Sequence, residues 1–160
     1  MTFEHFSQLV EGMFPPDGSQ RYDSLEVREL SPLITAYVGD AYYHLFVRTR
    51  LLAYEQKAVR VLNEFSAKLV SANMQAQSYR AIEDSLTDEE REIFRRGRNA
   101  HSHAPRRSAS VADYHASTGF EAILGTLYLT KQFERLQEIA QLSFSAAVEI
   151  IKAQKEGGKS

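Results

Sequence analysis

Residues 31–45 of the chain have the sequence SPLITAYVGDAYYHL. Serine followed by proline is typical of a helix start, because the serine side chain caps free N–H groups and proline fits the first turn. Apolar residues then recur at helical spacing, which predicts an amphipathic helix. These residues are Leu33, Ile34, Tyr37, Val38, Ala41 and Leu45. Asp40 stands at the border of this stripe, after a glycine that allows close backbone approach.

Helical patterns continue through most of the chain, and no alternating strand pattern or internal repeat is present. Further helices are predicted over residues 55–65, 67–83, 113–129 and 133–152. The run from Thr87 to Glu90 is a capping-box signature for one more helix, which we expect to end at Gly97. A loop rich in Ser, Ala, His and Arg is predicted over residues 98–112. The expected fold is therefore all-α, a helical bundle.

The chain has 160 residues and a mass of 18.2 kDa, which favours a single domain. We expect an N-terminal extension over residues 1–24, a single helical domain over 25–153 and a disordered tail over 154–160. The absence of cysteine excludes disulfides, thiolate zinc sites and a cysteine nucleophile. No secretory signal pattern and no stretch of membrane-spanning length is present, so we expect a cytoplasmic protein without a membrane partner. Neither GxxxxGK[ST] nor GxGxxG occurs, which argues against nucleotide-binding loops.

Five arginines fall within residues 95–107 without an acid among them, although the formal net charge of the chain is −2. They are Arg95, Arg96, Arg98, Arg106 and Arg107. Such a local basic patch attracts phosphates. The alternative is a solvated helix end, where positive side chains are favoured by the helix dipole.

Two carboxylates, Asp40 and Glu121, are set into apolar helical patterns. A semi-buried acid needs a partner or a cation, so Asp40 is a metal ligand, one half of a salt bridge or a residue at a surface position. Small residues one turn from Glu121 leave room for water or an ion, but they also permit close helix packing. The histidines at 44, 101, 103 and 115 are too scattered for a zinc motif. Gln75 and Gln77 either hydrogen-bond RNA sugars or face solvent.

Four segments together resemble one family, the Mini-III ribonucleases, which are ribonuclease III catalytic domains without a double-stranded-RNA-binding domain. Residues 30–48 resemble the signature helix of the family, and residues 70–76, VSANMQA, resemble its VSAKAQA segment. The block RRGRNA at 95–100 and the helix at 117–129 also match, the latter against STAFEALLGYLYL. The segments occur in the family's order, and the resemblance covers about residues 27–140.

The resemblance implies a ribonuclease III-like fold and a Mg²⁺-dependent endoribonuclease that cleaves double-stranded RNA as a homodimer. The family's role is to trim the stem that joins the termini of precursor 23S ribosomal RNA, and a ribosomal protein on the substrate is a possible partner. Asp40 takes the position of the catalytic aspartate and Glu121 that of the metal-binding glutamate. We therefore expect both to be catalytic and to hold Mg²⁺.

The expected RNA contacts are Arg95, Arg96, Arg98, Asn99, His101, Arg106, Arg107 and Gln75. The alternative function is a non-catalytic RNA- or ribosome-binding module on the same fold. A helical interaction protein without an RNA role is a third hypothesis, against which the arginine block argues.

The sequence also departs from related patterns. Ala36 and Leu33 occupy positions where full-length ribonuclease III carries glutamates, and Thr118 replaces a further acid. This loss is expected within the Mini-III subfamily, and it leaves the number of metal ions open. Asn73 and His101 stand where lysine is common in the family, which predicts weaker RNA binding.

Overall fold

The computed structural model describes residues 26–100 and 110–157, together with Thr2 and Glu4. Between residues 26 and 157 the described segments form six α-helices and two short 3-10 turns, without a strand. The helices are α1 (Pro32–Leu51), α2 (Val59–Leu69), α3 (Ala72–Ile82), α4 (Asp88–Asn99), α5 (Val111–Leu129) and α6 (Phe133–Gly157). The 3-10 turns are Val27–Glu29 and Glu83–Ser85. The prediction of an all-α bundle is confirmed.

Helix α5 is the centre of the bundle. It packs most extensively against α1, then against α4 and α3, and also contacts α6. Phe120, Ile123 and Leu124 on α5 have no exposed surface. Burial of each such side chain stabilises the fold by about 1.5–3 kcal/mol. The element that carries Glu121 is therefore held on several sides.

Glycines allow the backbones of α1 and α5 to touch. A Cβ atom at Gly39 would overlap the carbonyl oxygen of Glu121 and lie 2.7 Å from the nitrogen of Gly125. A Cβ at Gly125 would overlap the carbonyl oxygen of Thr35. No side chain fits at either position, so this crossing brings the α1 backbone directly onto the turn of α5 that contains Glu121.

Gly97 does not end its helix, which corrects the prediction made from its position. Helix α4 continues to Asn99, and Gly97 is buried where α4 crosses α5. A Cβ there would lie 2.8 Å from the Cβ of Ala122 and 2.9 Å from the Cα of Gly119. The glycine is needed for close approach between helices, which is a requirement of tertiary structure and not of helix termination.

Two helix starts predicted from the sequence are confirmed. The Ser31 hydroxyl accepts a hydrogen bond from the Leu33 N–H at 3.4 Å, ahead of proline in the first turn of α1. At the start of α4, the Thr87 hydroxyl accepts from the Glu90 N–H at 3.2 Å. The Glu90 carboxylate accepts from the Thr87 N–H at 2.8 Å, which completes the capping box.

Other boundaries differ from the predictions. Helix α2 begins at Val59 because the Glu55 carboxylate accepts from the N–H groups of Lys57 at 2.6 Å and Ala58 at 3.0 Å, which stabilises a turn. Helix α3 begins after Ser71, whose hydroxyl accepts from the Met74 N–H at 3.3 Å.

The C-terminal end also differs from its prediction. Residues 154–157 continue α6 and are not a separate tail, since they include good helix formers such as Gln154 and Lys155. Residues 158–160 and nearly all of 1–24 lie outside the described residues. Within the part of the chain that the structure describes, no helix has the length and apolar character needed to cross a membrane.

Candidate active site

Asp40 lies on the outer part of α1, and its side chain is 51% exposed. One turn later on the same helix, the Nε2 atom of His44 is 3.3 Å from an Asp40 carboxylate oxygen. The border position predicted for Asp40 is thus observed. An exposed carboxylate of this kind is accessible to a ligand that approaches from solvent.

Glu121 projects from α5 towards Asp40. Burial raises the pKa of Glu121, the negative charge of Asp40 raises it further, and a hydrogen bond from Gln75 acts in the opposite direction. Together these effects bring the pKa of Glu121 to about 8. The two predicted acids are therefore neighbours, and the site is unfavourable for two negative charges without a cation. A bound cation would relieve both the desolvation and the repulsion.

The donor set suits a hard cation such as Mg²⁺. Mg²⁺ prefers oxygen ligands and keeps several waters, so one or two carboxylates are sufficient. Asp40 and Glu121 provide these oxygens, and the buried Gln75 Oε1 atom beside them has no hydrogen-bond partner. Within residues 26–100 and 110–157 no three His, Cys, Asp or Glu side chains converge on one point, so the polydentate set of a structural zinc site is not formed there.

The positions that carry acids in full-length ribonuclease III are occupied differently here. Ala36 is 4% exposed and packs within the bundle. The hydroxyl of Thr118 donates to the Tyr114 carbonyl oxygen of its own helix at 3.1 Å. Leu33 is partly buried. None of these three positions adds a carboxylate to those of Asp40 and Glu121.

The arginines of α4 do not form one uniform patch. Arg95 pairs with Glu92 at 2.6 Å, and Arg96 lines a cavity between the 3-10 turn Val27–Glu29, α4 and the end of α5. Arg98 is exposed, and its carbonyl oxygen lies 2.9 Å from the Nδ1 atom of His115 on α5. This contact ties the end of α4 to the helix of Glu121.

The remaining predicted RNA contacts fall into three groups. Asn99 is exposed at the end of α4. His101, Arg106 and Arg107 lie outside the described residues. Gln75 is 1% exposed, so the prediction that it contacts RNA is wrong. Its side chain points into the bundle because α3 packs that face against α5.

Sequence analysis missed a polar cluster at the start of α5. The Asp113 carboxylate accepts hydrogen bonds from Ser110 Oγ at 2.8 Å, Arg80 Nη2 at 3.0 Å and Asn73 Nδ2 at 3.1 Å. The Ser110 hydrogen bond is the main cause of the lowered pKa of Asp113. The cluster fixes the first turn of α5 against α3. The capping pattern of Ser110 with Asp113 was the available local signal.

Sequence analysis also missed an exposed apolar surface on α1. Ile34, Tyr37 and Leu45 belong to the apolar stripe of the sequence, yet they are 51%, 79% and 63% exposed. Their helical spacing places them along one side of α1, and we call these three residues the α1 stripe. An exposed row of large apolar side chains is typical of a protein–protein contact.

Comparisons with known proteins agree with this geometry. Residues 34–132 match the Ribonuclease III domain. The chain is 45% identical to Mini-ribonuclease 3 of Thermoanaerobacter sp. (strain X514) over 117 residues, which are 73% of this chain and 82% of that protein. It is 46% identical to Mini-ribonuclease 3 of Symbiobacterium thermophilum over 112 residues, or 70% of this chain and 86% of that protein.

A solved structure is similar as well. The crystal structure of protein FN1578 from Fusobacterium nucleatum has a TM-score of 0.66 and 30% sequence identity, and the match covers 82% of this chain and 99% of that one. The family match, the relatives and the all-α fold are mutually consistent. The chain belongs to the ribonuclease III family, is similar over most of its length to Mini-ribonuclease 3 proteins, and is a ribonuclease.

Proposed function

We propose that this ribonuclease is a Mg²⁺-dependent endonuclease that hydrolyses double-stranded RNA at a site formed by Asp40 and Glu121. The observation that supports it most is the pairing of an exposed carboxylate on α1 with a half-buried one on α5, whose pKa is raised to about 8 by loss of solvation and by the charge of its neighbour. Perturbed acids of this kind are typical of functional sites.

Hydrolysis of a phosphodiester requires an activated water and stabilisation of negative charge on the phosphate. When bound, Mg²⁺ supplies both, since it lowers the pKa of a bound water and neutralises the phosphate oxygens. Asp40 and Glu121 would hold the ion from two helices that touch through glycine, so the separation of the two backbones that carry the carboxylates is fixed. Arg98 and Asn99, exposed at the end of α4, are placed to bind phosphates of the same duplex.

The substrate class that we propose is double-stranded RNA, recognised by the shape and charge of its A-form helix. A-form RNA has a wide, shallow minor groove, so a helical domain recognises it through phosphates and 2′-hydroxyl groups. The substrate we propose is the terminal stem of precursor 23S ribosomal RNA in the cytoplasm, with a ribosomal protein as a possible partner that shapes it. This proposal rests on the resemblance to the Mini-III ribonucleases.

We propose that the enzyme is a homodimer with the α1 stripe at its interface. A duplex has two antiparallel strands, and a twofold dimer presents one site to each. The stripe supports this because it leaves large apolar side chains exposed on the helix that also carries Asp40. Tyr37→Glu should give a monomer in analytical ultracentrifugation, whereas Tyr54→Glu, at the equally exposed Tyr54, should not. A dimer that persists with Tyr37→Glu would place the interface elsewhere.

The activity is tested by cleavage of long duplex RNA with wild-type protein, Asp40→Asn and Glu121→Gln, in Mg²⁺ and in EDTA. Cleavage by the wild type in Mg²⁺ alone is expected. Both variants should lose at least about a hundredfold in rate, because each removes a ligand that the reaction requires. Cleavage by either variant at the wild-type rate would overturn the assignment. If long duplex RNA stays intact in every reaction but is bound, the 23S terminal stem is the next substrate.

A further inference from the structure

Gln75 is a polar residue in an unusual place. It lies on α3 and is 1% exposed, between the equally buried Met74 and Ala76. A buried amide without hydrogen bonds costs several kcal/mol, so such residues are normally fully paired. Gln75 is not fully paired, because its buried Oε1 atom has no hydrogen-bond partner.

One half of the Gln75 amide is fixed by the protein. Its Nε2 atom donates to the carbonyl oxygen of Val70 at 3.1 Å, at the turn between α2 and α3. Its Oε1 atom is buried and has no hydrogen-bond partner. The hydrogen bond to Val70 holds the amide plane, and with it the direction of the remaining polar atoms.

The same amide lies beside Glu121. It lies close enough to the Glu121 carboxylate to favour its charged form, which acts to lower the pKa of Glu121 against the larger effect of burial. Helix α3 packs directly on α5, so Gln75 reaches Glu121 from the side of the bundle interior. Asp40 approaches from α1, where the backbones of α1 and α5 touch.

We propose that Gln75 is a positioning residue that orients the Glu121 carboxylate towards the cation held between Glu121 and Asp40. This inference rests on the proposed function, because it concerns the same site. The hydrogen bond to the Val70 carbonyl oxygen orients the Gln75 amide, and the amide in turn orients the Glu121 carboxylate. Residues that orient metal ligands in this way commonly change metal affinity by 10- to 100-fold when they are substituted.

The test uses Mn²⁺ binding as its readout, because Mn²⁺ takes the same oxygen ligands as Mg²⁺ and its binding is followed by electron paramagnetic resonance. The variant is Gln75→Met, which keeps the buried volume and removes the amide. We expect it to bind Mn²⁺ about tenfold or more weakly than the wild type. Gln77→Met is the matched control, since Gln77 is on the same helix and its amide donates to Asn73 at 2.6 Å. Its affinity should equal that of the wild type.

A second readout is the Mg²⁺ dependence of cleavage. The half-saturating Mg²⁺ concentration should rise in Gln75→Met by about the same factor as the Mn²⁺ dissociation constant, and saturating Mg²⁺ should restore cleavage. A purely structural role would not produce this rescue. Wild-type affinity for Mn²⁺ in a folded Gln75→Met protein would overturn the proposal.

The design separates failure of this inference from failure of the proposed function. If the wild type binds Mn²⁺, Glu121→Gln does not, and Gln75→Met binds normally, only the role of Gln75 is refuted. If the wild type and Glu121→Gln bind alike, the metal site itself is refuted, and the role of Gln75 with it. If Gln75→Met does not fold, Gln75→Asn decides by the same comparison, because it withdraws the amide from Glu121 by one methylene.

Discussion

Gly39 of α1 and Gly125 of α5 are in backbone contact. A Cβ built on Gly125 would lie 2.9 Å from the nitrogen of Gly39, and one built on Gly39 would lie 2.7 Å from the nitrogen of Gly125. The contact occurs next to Asp40 in sequence and one turn after Glu121. The crossing therefore determines how close the backbones that carry the two carboxylates lie.

Gly125→Ala is expected to destabilise the protein by about 3 kcal/mol or more, because the added methyl group meets backbone atoms that cannot move aside. A loss of this size lowers the midpoint of thermal unfolding by about 6–12 °C. It is measured by circular dichroism. Gly157→Ala is the control, since a Cβ at Gly157 meets nothing within 4 Å and should leave the midpoint unchanged. Equal midpoints for Gly125→Ala and the wild type would refute the close contact.

Glu121→Gln is expected to stabilise the metal-free fold increasingly at higher pH. The pKa of Glu121 is raised from 4.5 to about 8, so the unfolded chain loses this proton first as the pH rises. Stability of the wild type therefore falls between about pH 4.5 and pH 8 and is constant above, and the amide variant does not share this loss. The difference should reach on the order of 2–4 kcal/mol.

The measurement is thermal unfolding of both proteins in EDTA from pH 5 to pH 9. Glu134→Gln, at an exposed glutamate of α6, is the control and should follow the wild type. A difference between Glu121→Gln and wild type that does not grow with pH would contradict the raised pKa of this carboxylate.

Arg135→Met is expected to destabilise the fold by about 2–3 kcal/mol at neutral pH. Arg135 donates to both oxygens of the Glu90 carboxylate, at 2.8 Å and 2.9 Å, and its loss leaves a buried charge unpaired. Burial acts to raise the pKa of Glu90, but hydrogen bonds from Arg135 and Thr87 lower it on balance. This contribution is present above the unfolded pKa of Glu90 and is lost as the pH falls through the lowered folded value.

Urea unfolding at pH 7 and at pH 3 checks both statements, since the difference from wild type should shrink in acid. Arg60→Met is the control, because Arg60 and Glu64 form an exposed pair whose removal costs at most about 0.5 kcal/mol. Equal losses of unfolding free energy in Arg135→Met and Arg60→Met would show that the burial of Glu90 does not make its ion pair more stabilising than an exposed one.

Arg98→Ala is expected to weaken binding to duplex RNA and to reduce its salt dependence. Each phosphate contact that is lost lowers the slope of log affinity against log salt by about one. The measurement is a filter-binding titration in EDTA at several salt concentrations, which keeps the RNA intact. Arg60→Ala, on α2, should bind as the wild type does. An unchanged slope in Arg98→Ala would exclude Arg98 from the RNA surface.

Local signals in the sequence predicted much of the fold. The caps at Ser31 and Thr87 are short-range chemistry, and both are observed where the sequence placed them. The role of Gly97 was predicted wrongly, because a glycine near a helix end and a glycine at a helix crossing have the same local pattern. Only the contact with Gly119 and Ala122 distinguishes them, and that contact belongs to the tertiary structure.

The candidate site was predictable in part for a similar reason. Asp40 and Glu121 stood out as acids in apolar patterns, and the structure makes them neighbours. Gln75 was expected to contact RNA or solvent, because glutamine in a helix normally faces outwards and nothing next to it in sequence indicates burial. The exposure of the α1 stripe was equally hidden, since Tyr37 and Leu45 fit the pattern of core residues.

Helices α4 and α5 cross in close backbone contact at Gly97 and Gly119. No side chain fits between the two helices at these glycines, so the helices cannot shift relative to each other. The carbonyl oxygen of Arg98 also contacts the imidazole of His115 on α5. The offset between the end of α4 and the backbone of Glu121 is thus fixed in the folded chain. At the proposed site, an RNA strand bound by Arg98 and Asn99 would therefore meet the two carboxylates at a set distance, whatever its sequence.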